Sequence, residues 1–329
     1  VTDPLLAVDH LVVDFPQPHG RVLHAVADVS LGVGRGEILG VVGESGCGKT
    51  TLARCISGRS HPSSGTVSLD GMTLGSSRTV AERRAVQMVF QDPFSSLNPR
   101  MSIGRMLAEL LRVNEVVPRS EVSSRCRSIV GQVGLPSSAL DQLPGAFSGG
   151  QRQRIAFARA IAVEPRIIVA DEPLSSLDVS VQATILELIR RLREDLGTAF
   201  VFISHDLGVV RQLADTVAVM YLGRVVEKGS ASTVFGDPRH PYTRALIEAA
   251  PRLSGDRSPL HARLSGEPPS PIDLPSGCAF HPRCPRAEAI CSTEAPHLAD
   301  VDAQLTGSSA NHVMNHQSAC HFRDEVKRP

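Results

Sequence analysis

The run Gly43-Glu44-Ser45-Gly46-Cys47-Gly48-Lys49-Thr50-Thr51 constrains this chain more than any other stretch of it. It follows an apolar segment, Ile38–Val42, with the length and composition of a buried parallel strand. It leads into residues 49–58, which carry the pattern of a helix. A strand, a glycine-rich turn and a helix in that order build a phosphate cradle. The glycines let backbone N–H groups converge on a phosphate, and the helix adds the positive end of its dipole. Lys49 is then placed to bridge the β- and γ-phosphates, and the Thr50 hydroxyl to ligate Mg2+. A lone match of this kind can also be an ordinary glycine turn, so the rest of the chain has to decide.

The partner stretch is Arg166-Ile167-Ile168-Val169-Ala170-Asp171-Glu172-Pro173. An apolar strand ending in an acidic pair puts Asp171 at the C-terminal edge of a parallel sheet, beside the cradle. Asp171 can hold Mg2+ through water. Glu172, one residue on, can polarise an attacking water or accept its proton. Without the cradle, an acidic strand end capping the next helix explains the pair equally well.

Apolar runs and helix-like stretches alternate around these two motifs, as in a parallel α/β sheet. Residues 148–162 read as a helix capped by Ser148, with Ile155, Ala158, Ile161 and Ala162 on its apolar face. Residues 166–170 and 198–204 read as buried strands, and 181–196 as a helix with Ile185, Leu188, Ile189 and Leu192 inward. Residues 216–221 and 224–228, joined at Gly223, read as a closing hairpin. The pattern breaks between 91 and 145. A turn-rich piece, 94–100, is followed by helical segments, as expected of a helical subdomain inserted into a sheet domain. From 252 to 277 Pro, Ser and Gly accumulate, which reads as a linker.

Charge excludes one class of partner. Lys+Arg and Asp+Glu both number 34, so the formal net charge is zero. Nucleic acid as main partner needs a basic excess, so none is expected. No apolar run approaches the roughly 18 residues that cross a bilayer. The first residues lack the basic and apolar regions of a signal peptide. The expectation is a cytosolic protein that meets a membrane through a partner.

Phe147-Ser148-Gly149-Gly150-Gln151-Arg152-Gln153-Arg154 resembles the signature motif of ABC-type ATPases, with Phe147 where Leu is more usual. Ser148 and the following amides at a helix N-terminus make an anion site. The resemblance implies that Ser148, Gly149, Gly150 and Gln151 face the γ-phosphate of ATP held by another cassette. Gln91, in Val89-Phe90-Gln91-Asp92-Pro93, resembles the family's Q-loop glutamine. Ser175-Ser176-Leu177-Asp178 resembles the D-loop at the dimer seam, with Ser176 where Ala is commoner. His205, in Ile203-Ser204-His205-Asp206, resembles the switch histidine.

By this resemblance Glu172, His205 and Gln91 are catalytic. Thr50, Gln91 and Asp171 serve Mg2+, and Asp178 reaches the ATP of the partner cassette. Residues 43–51 hold ATP, and Phe15 is the nearest aromatic to stack on adenine, core packing being an equal reading of that ring. The implied fold is α/β: a RecA-like core with an antiparallel β subdomain, over residues 1–235, and a helical subdomain at about 92–160.

The resemblance narrows in the last third. Gly236-Asp237-Pro238-Arg239-His240-Pro241-Tyr242-Thr243-Arg244-Ala245-Leu246 is similar to the segment that follows the cassette in oligopeptide and dipeptide importers, as is the stretch from Gly266 to Pro285. That implies an ATPase powering peptide import at the cytoplasmic face of the plasma membrane. It would work with two transmembrane permease subunits, a second cassette on a paralogous chain and, indirectly, an extracytoplasmic peptide-binding protein. Nickel and glutathione importers use related subunits. Non-transport ABC ATPases typically carry two cassettes in one chain or long coiled coils, and neither is visible here.

Seven cysteines are unevenly placed. Cys47, Cys55 and Cys126 are scattered; Cys47 stands at a loop position where only its backbone matters, and Cys55 and Cys126 read as small apolar residues. Cys278, Cys284, Cys291 and Cys320 fall in a Pro-rich tail, 236–329, expected to be a small irregular domain with little apolar core and a need for a staple. Four thiolates suit zinc or a cubane iron–sulfur cluster. The spacing is wider than the usual zinc knuckle, and His281, His316 and His321 are possible substitute ligands. Related importer tails carry a [4Fe–4S] cluster, so the resemblance implies that group, with Zn2+ as the alternative.

Overall fold

The computed structural model describes residues 3–93, 97–175, 177–250, 266–301 and 316–325. The linker residues 252–265, Phe94, Ser95 and Ser96 of the turn-rich piece, and Ser176 of the D-loop lie outside them.

An eight-stranded sheet carries the molecule. Its centre is parallel: β3 (Ile38–Val42) lies between β8 (Ala199–Ile203) and β9 (Thr216–Tyr221), and β7 (Ile167–Asp171) lies between β8 and β6 (Val86–Val89). Every residue of β3, β7, β8 and β9 is buried, because both faces of the sheet are covered. Alternate residues feed two cores. Ile38, Phe200 and Phe202 join the core under the helices. Leu39, Val41, Val201 and Ile203 join a second core shared with a four-stranded antiparallel sheet. That sheet runs β2 (Val22–Val33), β1 (Leu6–Pro16), β4 (Ser64–Leu69), β5 (Met72–Thr73).

The hairpin from β9 into β10 (Arg224–Ser230) turns on two residues, Leu222 (φ +43°) and Gly223 (φ +77°), with Tyr221 paired to Arg224. Both central residues are left-handed, as a tight turn matched to strand twist requires.

Between β6 and β7 the chain leaves the sheet. Helix α3 (Ile103–Val113) buries Ile103, Leu107 and Leu111 at four-residue spacing, and α4 (Val122–Gln132) buries Ile129 and Val130. Helix α5 (Gly149–Ile161) then re-enters the core with Ile155, Phe157 and Ala158. Helix α1 (Lys49–Ile56) follows the glycine loop, α2 (Val80–Ala85) leads into β6, and α6 (Val179–Leu196) joins β7 to β8.

The C-terminal region is built onto the core sheet. β12 (Gln317–Ser318) pairs with β10, Glu227 opposite Ser318, and β11 (Ala299–Asp300) pairs with β12. Glu227, fully buried on β10, organises the junction. Its carboxylate accepts the Arg239 N–H at 2.6 Å and the His240 N–H at 2.9 Å, and His316 Nε2 lies 2.7 Å from it.

Candidate nucleotide site and thiol cluster

The glycine loop sits where β3 ends, seated on the β9–β10 turn and on β2. Gly223 donates its N–H to Cys47 O at 3.0 Å, and Ala27 donates to Gly223 O at 2.8 Å. Gly48 has φ +104°, and a Cβ there would fall 2.1 Å from Ala25 O, so only glycine fits. Lys49 is buried, and its ammonium donates to Gly43 O at 2.8 Å and Glu44 O at 2.9 Å, with Cys47 Sγ at 3.7 Å. Phosphate oxygens would take the place of these carbonyls. A cavity of about 430 Å³ opens over the loop. Ser45, Gly46, Gly48, Lys49, Thr50 and Thr51 line it from below, with Gln91, Glu172 and Phe15 at its sides. The size falls in the usual range for small-ligand sites. Phe15 is 40 % exposed, so this ring is not a core residue.

Thr50 Oγ1 donates to Asp171 Oδ1 at 3.2 Å. Asp171 is 4 % exposed, and burial is the largest influence on its carboxyl, pushing its pKa above the usual range. A buried anion of this kind, next to a hydroxyl, fits a divalent cation that would restore its charge. Glu172 follows in a left-handed conformation, φ +46°, with its N–H donating to Ile203 O at 3.0 Å. One oxygen of its carboxylate, Oε2, gathers two partners. Gln91 Nε2 donates to it at 3.2 Å, and His205 Nδ1 lies 3.2 Å away.

The signature residues do not line this cavity. Ser148 caps α5, accepting the Gln151 N–H at 3.3 Å while Gln151 Oε1 accepts the Ser148 N–H at 3.0 Å. Ser148, Gly149 and Gln151 are exposed, and Gly150 is buried. Asp178 caps α6, accepting from Val181 N at 2.9 Å and Ser180 Oγ at 2.6 Å. Those bonds, the Ser180 one foremost, hold its carboxyl below the usual range. Val179 beside it is 82 % exposed.

Comparison with known proteins decides the family. Residues 26–175 match the family described as "ABC transporter", and residues 226–291 the family described as "Oligopeptide/dipeptide transporter, C-terminal region". The "Dipeptide transport ATP-binding protein DppF" of Escherichia coli is 44% identical over 315 residues, covering 93% of this chain and 94% of that one. The protein of the same name from Haemophilus influenzae is 48% identical over 277 residues, covering 83% of this chain and 85% of its own. This chain is an ABC transporter ATPase of the oligopeptide/dipeptide family.

Solved ABC cassettes share its fold. CbiO1 of Clostridium perfringens, "Part of the ABC transporter complex cbiONQ", superposes with a TM-score of 0.64 at 29% identity, covering 71% of this chain and 92% of its own. The ATP-binding cassette MJ0796, in a dimeric post-hydrolysis state with ADP and Pi, gives 0.61 at 25% identity, covering 69% of this chain and 98% of its own.

The ABC ATPase's tail brings its cysteines together. Cys278, Cys284, Cys291 and Cys320 line one small cavity with His240, Phe280, His281 and His321, and all four are free thiols. His316 is not in that lining; it faces Glu227. Burial raises the Cys278 and Cys284 thiols above their usual pKa and Cys320 to about 11. Among the described residues no group of three or more His, Cys, Asp or Glu is arranged to hold a metal ion. The four thiols on one cavity are a donor set whose chemistry suits either zinc or an iron–sulfur group. Cys47, Cys55 and Cys126 are buried and apart from this cluster, and burial raises each thiol's pKa.

Sequence reading did not reach three further contributors to the nucleotide site. Pro271 of the C-terminal region lines the same cavity as Phe15 and Lys49, and its carbonyl accepts the His24 N–H at 3.0 Å. Arg283 and Tyr242 hold the glycine loop itself. No local pattern marks contacts across some two hundred residues of chain.

Proposed function

We propose that this ABC ATPase powers peptide import, hydrolysing ATP that is held between its own phosphate loop and the signature motif of a second cassette. The observation that carries the catalytic reading is the convergence of Gln91 and His205 on one oxygen of Glu172. Residues 43–51 bind the phosphates, Lys49 exchanging its two carbonyl partners for β- and γ-oxygens. Thr50, Asp171 and Gln91 are the residues that would hold Mg2+, which supplies charge neutralisation on the phosphates. Glu172 orients and deprotonates water, while Gln91 and His205 fix its carboxylate. Phe15 faces the base.

Solvent exposure of Ser148, Gly149 and Gln151, and of Asp178 with the bare Val179, supports the second cassette, since an apolar side chain at 82 % exposure finds cover in a partner. We take that partner to be a paralogous chain. Two permease subunits dock near 91–100, next to a groove lined by Asn98, Met101, Met106, Leu110 and Val113. No helix among the described residues is long and apolar enough to cross a membrane; the family match supports a place at the cytoplasmic face of the plasma membrane, reached through those permeases. A peptide-binding protein outside delivers the solute. The substrate reading rests on the dipeptide transport relatives and on the C-terminal family match.

Cys278, Cys284, Cys291 and Cys320 are proposed to carry a [4Fe–4S] cluster in place of Zn2+, as the structural staple of a tail with little core of its own. Two measurements test these assignments. Transporter reconstituted with its permeases should take up labelled dipeptide with ATP; uptake of nickel alone would overturn the substrate. Protein purified without oxygen should be coloured, with iron and acid-labile sulfide; a colourless preparation containing zinc would overturn the cluster.

A further inference from the structure

The phosphate loop of this chain is held from outside the cassette core, by the C-terminal region. Glu44, second residue of the loop, points its carboxylate at Arg283, which answers with a two-pronged contact: one terminal nitrogen donates to Oε2 at 2.7 Å, the other to Oε1 at 3.0 Å. The arginine side chain is 4 % exposed and the glutamate 24 %. The Glu44 N–H is also claimed from the tail, donating to the Tyr242 hydroxyl at 2.9 Å. Tyr242 is fully buried and packs on Tyr221 and Phe280 at centroid distances of 4.6 and 5.4 Å. Arg283 also donates to the Tyr221 hydroxyl at 3.4 Å. Two C-terminal groups thus fix both the backbone and the side chain of one loop residue.

The chemistry gives this arrangement a purpose beyond packing. Glu44 places a carboxylate within a loop built to receive phosphates. Two like charges so close, partly shielded from water, repel strongly. Arginine cannot lose its proton, and its planar fork matches a carboxylate. It neutralises the charge, and Glu44 is not among the residues that line the cavity. With its N–H spent on Tyr242, Glu44 leaves phosphate binding to the other loop amides.

We propose that Arg283 and Tyr242 are positioning residues for the phosphate loop, so that this cassette's affinity for ATP is set from its C-terminal region. Pro271 strengthens the case from a second direction, since the same region walls the nucleotide cavity there and is tied to β2 by the His24 bond and to the residue just before β2 by the Arg21–Asp273 ion pair. The 3-10 turn that carries Arg283, His281–Arg283, is bracketed by Cys278 and Cys284. The proposal stands on the Arg283 and Tyr242 contacts, whatever those thiols hold.

The test is Mg-ATP binding to the full chain by titration calorimetry, with steady-state hydrolysis and thermal midpoint measured alongside. Arg283→Gln should weaken ATP binding about tenfold, the scale of a charge-assisted pair, raising KM more than it lowers kcat. Adding Glu44→Gln removes the stranded carboxylate, so the double variant should bind ATP about threefold or more tighter than Arg283→Gln alone. A lost structural contact would not be repaired that way. An unchanged Kd in Arg283→Gln, or a double variant as weak as the single, overturns the proposal. Should Arg283→Gln fail to fold, Tyr242→Phe decides. A Kd raised about threefold or more supports the proposal, and an unchanged one overturns it.

Discussion

Glu172 joins two demands in one residue. Its left-handed backbone costs roughly 1–2 kcal/mol for a side chain with a Cβ, and the bond from its N–H to Ile203 O offsets part of that. In return the carboxylate leaves the strand end at an angle that meets both Gln91 and His205. Replacing Glu172 with Gln should leave ATP binding intact and slow phosphate release by about a thousandfold, within the range for loss of a general base. Size-exclusion chromatography should then find the ATP-bound chain accumulating in a complex with its partner cassette. Turnover near normal in that variant would remove Glu172 from the role. The residue was legible in the sequence because an apolar run ended on an acidic pair. Its two partners were legible only as motifs. That they share one oxygen could not be read, because it depends on how β6 and β8 flank β7 in space.

At the level of elements, burial on both faces is what made the sheet readable. β3, β7, β8 and β9 are short, wholly buried runs, apolar but for Asp171 at the end of β7 and Thr216 at the start of β9, and the sequence offers no other home for them. The β9–β10 hairpin and the Ser148 cap were visible for a local reason, since turn and cap chemistry lie within a few residues. The long strands β1 and β2 were not traced from pattern. Their pairing shifts register between Val8 and Leu11, and again between Val13 and Asp14, which breaks the two-residue alternation. β11 and β12, two residues each, have no pattern to read.

What fastens them is Glu227, whose carboxylate serves two backbone N–H groups and faces one imidazole. Glu227→Ala would leave those buried groups unpaired at once, so the chain should lose about 3 kcal/mol or more of stability. Denaturant unfolding with an unchanged m-value and a lowered midpoint would report it. A loss below about 0.5 kcal/mol, the level of an ordinary surface site, would mean that the C-terminal strands are not held through this carboxylate.

For the molecule as a whole the decisive feature is incompleteness. The cavity over Lys49 is lined by Thr50, Gln91 and Glu172, yet the N-terminus of α5, with its Ser148 cap, opens to solvent elsewhere. A helix N-terminus with a glycine pair and a serine cap attracts phosphate whether or not its own chain supplies one. If the signature serves the nucleotide of the neighbouring cassette, a bulky cation there should separate two properties that a single-site enzyme would lose together. Ser148→Arg should leave the Kd of the isolated chain for Mg-ATP unchanged. In the assembled transporter the same substitution should cut hydrolysis at the neighbour's phosphate loop by about a hundredfold or more, the scale of a lost transition-state contact. Equilibrium titration of the chain alone and phosphate release from the assembled pair separate the two arrangements. If affinity falls in the isolated chain as steeply as turnover falls in the pair, Ser148 acts on its own chain's ATP. The exposed faces of Asp178 and Val179 would then need a different partner.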